Sequence, residues 1–331
     1  MSYSLPEMES IMRCYYYPAI LSVFILLVSC VNQPAEDDGV RTMTVSSSSG
    51  GQITPSVKTF KGSKTFYFEP VEGYIVYDIR MNGVSLGAVN SVNFNPVSSG
   101  DTVHDTIDAL FMPTPVAHWS FDSSKKNIYY DISGNGNDAV DSNKADLQLV
   151  EGVKGDAIHL SGDEFHIKVP GSKNKFDFPR FSLALWFRSD SSFFAPARWE
   201  NLKKLFQYSS SQKGYMVGVD WDGLLAFAVD GPQSNDDWLR IKDTLIENTW
   251  YYCVITCDNR DVNVYLNGKR DTTKLMRQIE LCDIDLAIGC SAIDDIMCLF
   301  KGYIDELRLF DTVLDSAFIA AEYECMKPEE R

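Results

Sequence analysis

Two groups of residues in this sequence have the types and spacing to do chemistry, and a third kind of group is missing. Trp199, Trp221 and Trp238 stand in the segments PARWENLKK, VDWDG and SNDDWLR, each beside carboxylates or amides. An indole stacks on the apolar face of a sugar ring while neighbouring carboxylates take hydrogen bonds from its hydroxyls. Trp199, Trp221 and Trp238, with Asp220, Asp222 and Asp237 as polar partners, are therefore a candidate carbohydrate platform; the alternative is that these rings pack loop against sheet. The run Asp131-Ile132-Ser133-Gly134-Asn135-Gly136-Asn137-Asp138 offers what a cation loop needs: carboxylate and amide oxygens, exposed carbonyls, and glycines that reach positive φ. The missing group is a pair of carboxylates on one strand face, which acid/base cleavage of a glycosidic bond requires. Asp305 and Glu306 are adjacent and would point to opposite faces of a strand, and Asp220 and Asp222 share a face without a third member. There is no G-x-S-x-G elbow, Walker loop or dinucleotide loop. No catalytic residue is assigned, and the chain reads as a non-enzyme.

The elements that must carry these residues are short and β-like. The chain has 331 residues, 45% of them hydrophobic, enough for a packed core. Thirty Lys and Arg against 46 Asp and Glu give a net charge of −16, which excludes a typical nucleic-acid binder because phosphate contacts need a basic surplus. Residues 39–48 are rich in Ser and Thr and read as linker. Alternating runs at Lys64–Pro70 and Tyr74–Met81, the Asn82-Gly83 turn, Val92–Phe94 and Thr106–Phe111 predict a small β domain. Met112-Pro113-Thr114-Pro115 marks a boundary, since two prolines interrupt pairing and stiffen the joint. Beyond it, strand-like runs recur at Ala117–Phe121, Ala157–Leu160, Phe165–Val169, Phe181–Arg188, Tyr215–Val219, Leu224–Val229, Trp250–Thr256, Val262–Leu266, Leu286–Ile288 and Gly302–Phe310. So many short strands in one domain imply two stacked antiparallel sheets. Only Ser316–Met326 has helical spacing.

The N-terminus carries a further signal. Ala19–Val28 is apolar but too short to span a bilayer, and it fits the hydrophobic region of a signal peptide. A start at Met12 would remove Glu7 and Glu9 from its flank. Leu27-Val28-Ser29-Cys30 resembles a bacterial lipobox, which implies acylation of Cys30 and a lipid anchor. Gln33–Asp38 resembles the acidic signal of surface-exposed Bacteroidetes lipoproteins, so the expected location is the outer membrane, either cell-surface exposed or facing the periplasm. Six further cysteines lie between Cys253 and Cys325 without a CxxC pair, which disfavours zinc. Cys253 and Cys257 would sit roughly 13 Å apart on one strand, too far to bond each other. Each is either bridged to a neighbouring strand or a buried small hydrophobe.

Two resemblances complete the reading. Gly73-Tyr74, Asp78, Asn82-Gly83 and Thr106–Phe111 resemble a short β-repeat of bacterial surface proteins, modules that serve as spacers or adhesive units. From residue 114 on, seven segments in order resemble the laminin-G-like jelly rolls of the concanavalin A-like lectin/glucanase superfamily. They are VAHWSFD from Val116, DISGNGND from Asp131, GDAIHLSG from Gly155, FSLALWFR from Phe181, Trp250-Tyr251-Tyr252, VYLNGK from Val264 and FKGYIDELRLF from Phe300. The resemblance implies an all-β fold, a two-sheet antiparallel jelly-roll sandwich with a small N-terminal β domain, and places Trp119, Trp186 and Trp250 in its core. The expected organisation is a signal peptide over 1–29, a tether over 30–49, a β-repeat over 50–112 and the jelly roll over 113–331. Similar domains commonly hold calcium near the join of the first and last strands. That implies Asp122, Asn137 and Asp305 as side-chain ligands, with Asp131 and Asp138 flanking the loop; the alternative is Asx turns at Asp131 and Asn135 and a salt bridge from Asp305 to Arg308. Glycosidases of the superfamily carry an E-x-D-x-x-E strand, and none is present. The expected function is a surface lipoprotein whose jelly roll binds carbohydrate or glycoprotein; the alternative is a structural or adhesive protein-interaction module without glycan binding.

Overall fold

A computed structural model describes residues 39–141, 143, 147–162, 167–190, 202–210, 213–229, 238–293 and 298–328. It is nearly all β, with the single described helix Ser316–Met326. The N-terminal part pairs a five-stranded sheet with a three-stranded one. Alternation along Lys64–Pro70 and Thr102–Pro113 turns Phe66, Phe68, Ile107, Ala109 and Phe111 into a common core with Met43, Ile79 and Phe94. Residues 39–48, expected as linker, instead form the strand Val40–Ser47, which runs parallel to Thr102–Pro113 from Val40↔Thr102 to Ser47↔Ala109. Thr and Val favour a pleated strand, and Met43 is buried in that core. A parallel partner sixty residues away leaves no hairpin signal in the sequence.

From Ala117 onward a nine-stranded and an eight-stranded sheet enclose the main hydrophobic core. The strand Arg180–Ser189 shows how one segment serves two interiors. Phe181, Leu183, Leu185 and Phe187 face the space between the sheets, whereas Ala184 and Trp186 face outward into a second core. That second core is built on Phe318, Ile319 and Met326 of the helix together with Leu110 and Met112. The strand Thr102–Pro113 therefore gives one face to its own module and the other to the jelly roll. Asp315 caps the helix by accepting from the Phe318 N–H, and it also accepts from the Ser49 hydroxyl, a second tie between the two parts.

Trp119 and Trp186 are fully buried. Trp250, expected in the core, is half-buried on the outer face of the eight-stranded sheet, because it precedes the strand Tyr251–Asp258 and lies near Arg188. Among the described residues no disulfide joins the cysteines between Cys253 and Cys325, five of which are buried. Burial pushes the Cys253 thiol well up and that of Cys257 to about 12, so both behave as small hydrophobes. Among the described residues no helix is long and apolar enough to cross a membrane.

Candidate functional site

One edge strand of the nine-stranded sheet is Trp238–Arg240, paired to Leu225–Val229 with Ala228 opposite Trp238 and Ala226 opposite Arg240. Leu239 faces the main core, so alternation sends Trp238 and Arg240 to the other face. There the small Ala226 and Ala228 leave room for large side chains. Trp238 packs against a small cluster of Leu202, Met216, Ala228 and Cys298. Trp221 arrives from the turn that joins Gly214–Val219 to Leu225–Val229. Gly223 takes φ +76° in that turn. Its geometry is held by Asp220, whose Oδ1 accepts from the N–H groups of Asp222 at 2.9 Å and Leu224 at 3.0 Å.

The turn and the edge strand meet in one cluster. The rings of Trp221 and Trp238 stand 6.5 Å apart at 70°. Arg240 lies against both, its guanidinium carbon 5.0 Å from the Trp238 centroid and 5.8 Å from that of Trp221. Arg240 Nε sits 2.7 Å from Asp220 Oδ2. Both indoles and Arg240 are partly exposed, and Asp222 is exposed beside them. Two indoles and a cation fixed from below form an amphipathic surface suited to a polyhydroxylated ligand.

The structure thus brings Trp221 and Trp238 together as expected and corrects the role of Asp220. That carboxylate is fully buried. Its Oδ1 is taken by the turn and its Oδ2 faces Arg240 in a buried ion pair, so it positions Arg240 and is shut off from a sugar hydroxyl. Asp222 stays available. Trp199 and Asp237 lie outside the described residues, as does Cys30. Arg240 was not singled out from the sequence, although its place two residues after Trp238 in a strand-like WLR puts both on one face.

The proposed calcium ligands separate into two loops. In the first, Asp131 Oδ1 accepts from the N–H groups of His118 and Ser133, and Oδ2 accepts from the backbone and side-chain N–H groups of Asn137, all between 2.8 and 2.9 Å. Burial alone would raise the pKa of Asp131, but the Ser133 hydroxyl and these backbone donors hold it below the ordinary carboxylate range. Asp138 Oδ1 accepts from the Asp131 N–H, and Asn137 donates to the Val116 carbonyl. The loop is anchored to the core by Trp119, whose indole N–H donates to the Asn137 carbonyl at 2.7 Å.

In the second loop, Asp305 Oδ2 accepts from the N–H groups of Val153 and Lys154, and Asp122 Oδ1 from that of Asp156. These two carboxylates hold the hairpin that joins Leu149–Glu151 to Asp156–Ser161. Among the described residues no three His, Cys, Asp or Glu side chains converge on one centre. Four of the five residues named as ligands accept from backbone N–H groups and the Asn137 amide donates to Val116 and Asp131, so in this arrangement the five are divided between two loops. Among these carboxylates Asp305 Oδ1 is buried without a hydrogen-bond partner. The salt bridge considered from Asp305 to Arg308 does not form; Arg308 pairs with Glu322 and lies 3.8 Å from Glu306. Asp305 and Glu306 do diverge. Glu306 takes φ +48° where the pairing with Arg180–Ser189 shifts register, a bulge that aims its carboxylate at His118 instead of beside Asp305.

Comparison with known proteins agrees with this architecture. Residues 161–320 match the family model of the concanavalin A-like lectin/glucanases superfamily. No curated protein matches the sequence. Among solved structures, similarity extends to domain 4 of AbnA, a GH43 extracellular arabinanase from Geobacillus stearothermophilus in complex with arabinotriose. It has a TM-score of 0.49 and 20% identity, covering 63% of this chain and 97% of that one. Botulinum neurotoxin type C, whose cell entry depends upon interaction with two ganglioside molecules, has a TM-score of 0.49 and 17% identity over 65% and 52%. A mutant of HCR D/C VPI 5995 has a TM-score of 0.50 and 17% identity over 65% and 53%. This chain spans about half the length of those last two chains. At such identities the likeness concerns the fold alone. The fold from Ala117 onward is a two-sheet antiparallel jelly-roll sandwich, and residues 161–320 within it match the concanavalin A-like family model.

Proposed function

We propose that the chain is a non-catalytic surface lipoprotein that binds carbohydrate at the Trp238–Arg240 edge of its nine-stranded sheet. The observation that carries this reading is the pair of partly exposed indoles, Trp221 and Trp238, set 6.5 Å apart around Arg240. The rings offer apolar faces to sugar C–H groups, Arg240 donates to ring or hydroxyl oxygens, and Asp222 accepts from hydroxyls. Covering one indole face removes about 50–80 Å² of apolar surface from water, a contribution of roughly 1–2 kcal/mol. Trp238→Ala is therefore expected to weaken glycan binding by about five- to thirty-fold. A glycan array on the full mature chain followed by titration calorimetry checks this. Undiminished binding by Trp238→Ala, with the melting temperature near that of the wild type, would move the site elsewhere.

Calcium is an expectation of the family resemblance, and the ligands it implies lie in loops other than the turn of Trp221 and the strand of Trp238. The same titrations with calcium and with a chelator separate the two ideas. The side-chain arrangement predicts glycan affinity and melting temperature that do not respond to millimolar calcium; a rise in either with calcium would show that the two hairpin loops open to take an ion.

The anchor is proposed through acylation of Cys30, with the chain held at the outer membrane. Cys30→Ser is expected to abolish incorporation of labelled palmitate and to release the chain from the membrane fraction. Retention of both label and membrane association would contradict it.

A further inference from the structure

A second group of side chains stands on the opposite sheet, at the end of its outer face that the helix leaves uncovered. Four strands lie side by side there in the order Asp156–Ser161, Lys301–Phe310, Arg180–Ser189 and Tyr251–Asp258. Their register sets His159 opposite Tyr303 and Tyr303 opposite Arg188. The His159 ring stacks on Tyr303 at 4.5 Å, and the Arg188 guanidinium carbon lies 4.0 Å from the Tyr303 centroid and 5.2 Å from that of Trp250. All four side chains are partly exposed. The result is a cluster in which the Arg188 guanidinium lies against both Tyr303 and Trp250, whose rings stand 6.1 Å apart at 56°.

This cation lacks an acceptor. Among the described residues Arg188 makes no hydrogen bond or salt bridge, and its Nε is buried without a partner. In a chain of net charge −16, carboxylates to pair with a surface arginine are plentiful, yet Asp190, two residues further along, has its Oδ2 3.0 Å from His159 Nε2. Asp190 Oδ1 is itself buried and takes no donor. The site therefore presents a guanidinium in need of an anion beside a carboxylate oxygen in need of a donor. Contact with two rings already restricts the Arg188 side chain, so less freedom is lost when its fork closes on a planar carboxylate.

We infer that this cluster binds a carboxylate-bearing sugar residue, a uronic or sialic acid, with its carboxylate on Arg188 and a hydroxyl toward Asp190. A sugar acid carries both groups on one rigid ring. An acidic peptide carries the anion without the fixed array of hydroxyl donors. The site is separate from Trp221 and Trp238, so either can fail without the other.

Titration calorimetry on the full chain with the methyl glycosides of glucuronic, galacturonic and sialic acid, each beside a neutral counterpart lacking the carboxylate, tests it. At least one acid is expected to bind at least tenfold more tightly than its neutral counterpart, as loss of a charged hydrogen-bonded contact implies. Arg188→Gln should lose that preference and Arg188→Lys most of it, whereas Trp238→Ala should leave it unchanged. No acid preferred over its neutral counterpart, or an Arg188→Gln chain of native melting temperature that keeps the preference, overturns the inference. So does an aspartate hexapeptide that competes as strongly as the sugar acid. If Arg188→Gln fails to fold, the wild-type comparison of acid with neutral sugar and the Arg188→Lys chain decide it.

Discussion

Replacing Arg308 with Met is expected to lower the melting temperature of the full chain by roughly 6–20 °C. Arg308 is fully buried at the outer face of the eight-stranded sheet, where the helix and the N-terminal module close over it. Its Nη1 donates to Glu322 of the helix, which also accepts from the Tyr252 hydroxyl. Its guanidinium carbon lies 5.7 Å from the ring of Tyr77, which comes from the N-terminal module and whose hydroxyl donates to Met326 at 2.7 Å. Burial alone would make Arg308 easier to deprotonate, but Glu322 and the other acidic groups around it hold it charged. Removing the cation strands the Glu322 carboxylate in the interior, which costs about 3–5 kcal/mol. In a chain of this size each kcal/mol moves the melting temperature by about 2–4 °C. The double replacement Arg308→Met with Glu322→Leu removes both charges and is expected to recover most of the loss. It will not recover all of it, because Tyr252 loses its acceptor and Glu306 keeps only His118, 3.1 Å away. Calorimetry on the three chains checks this. A single replacement as stable as the wild type would show that Glu322 does not need the cation.

The second large effect concerns pH. Burial raises the Asp305 carboxyl; the N–H groups of Lys154 and Val153 oppose that while the charge of Glu306 adds to it, and the pKa ends at about 7 instead of 3.8. In the unfolded chain the group ionises near 3.9. Between these values the unfolded state has lost a proton that the folded state keeps, so stability falls as pH rises from about 4 to about 7 and then levels. Glu306 acts in the other direction. Burial would raise it as well, but the hydrogen bond from His118 and the charge of Arg308 bring it down to about 2. Its contribution is complete above about pH 4.5 and is lost as pH falls from there toward 2. These two groups place the stability maximum between about pH 4 and 4.5. Asp305→Asn keeps the acceptor for Val153 and Lys154 and removes the buried charge. The wild type is expected to lose on the order of a few kcal/mol between pH 4.5 and 8, and the variant to stay flat. At pH 8 the variant should be the more stable chain, by less than that full amount because the new side-chain NH2 group, in the place of the unpartnered Oδ1, is buried without an acceptor. A variant less stable than the wild type at pH 8 would mean that the Asp305 charge is compensated, for instance by a bound cation.

Local pattern made much of this fold legible before the structure. The helix Ser316–Met326 and the strands Lys64–Pro70, Tyr74–Met81 and Leu286–Ile288 have the limits expected from alternation and spacing. What stayed hidden depends on partners distant in the chain. Val40–Ser47 reads as linker because its partner is parallel and remote. Arg188 looks like the polar end of an apolar strand, and only the register set by Lys301–Phe310 puts Tyr303 beside it. Half of the candidate sugar site was visible as tryptophans near carboxylates. The part that was misread, Asp220, follows from turn chemistry: an Asp two residues before another backbone N–H in VDWDG caps its own turn, so it is consumed locally before any ligand arrives.

The most direct measurement of the central claim follows the indole N–H resonances of the six tryptophans during titration with a saccharide identified on the array. Each indole is assigned by single replacement. Binding at the sheet edge predicts that the signals of Trp221 and Trp238 move together, with one affinity, while those of the buried Trp119 and Trp186 hold still. Saturable binding that leaves Trp221 and Trp238 unmoved would contradict it.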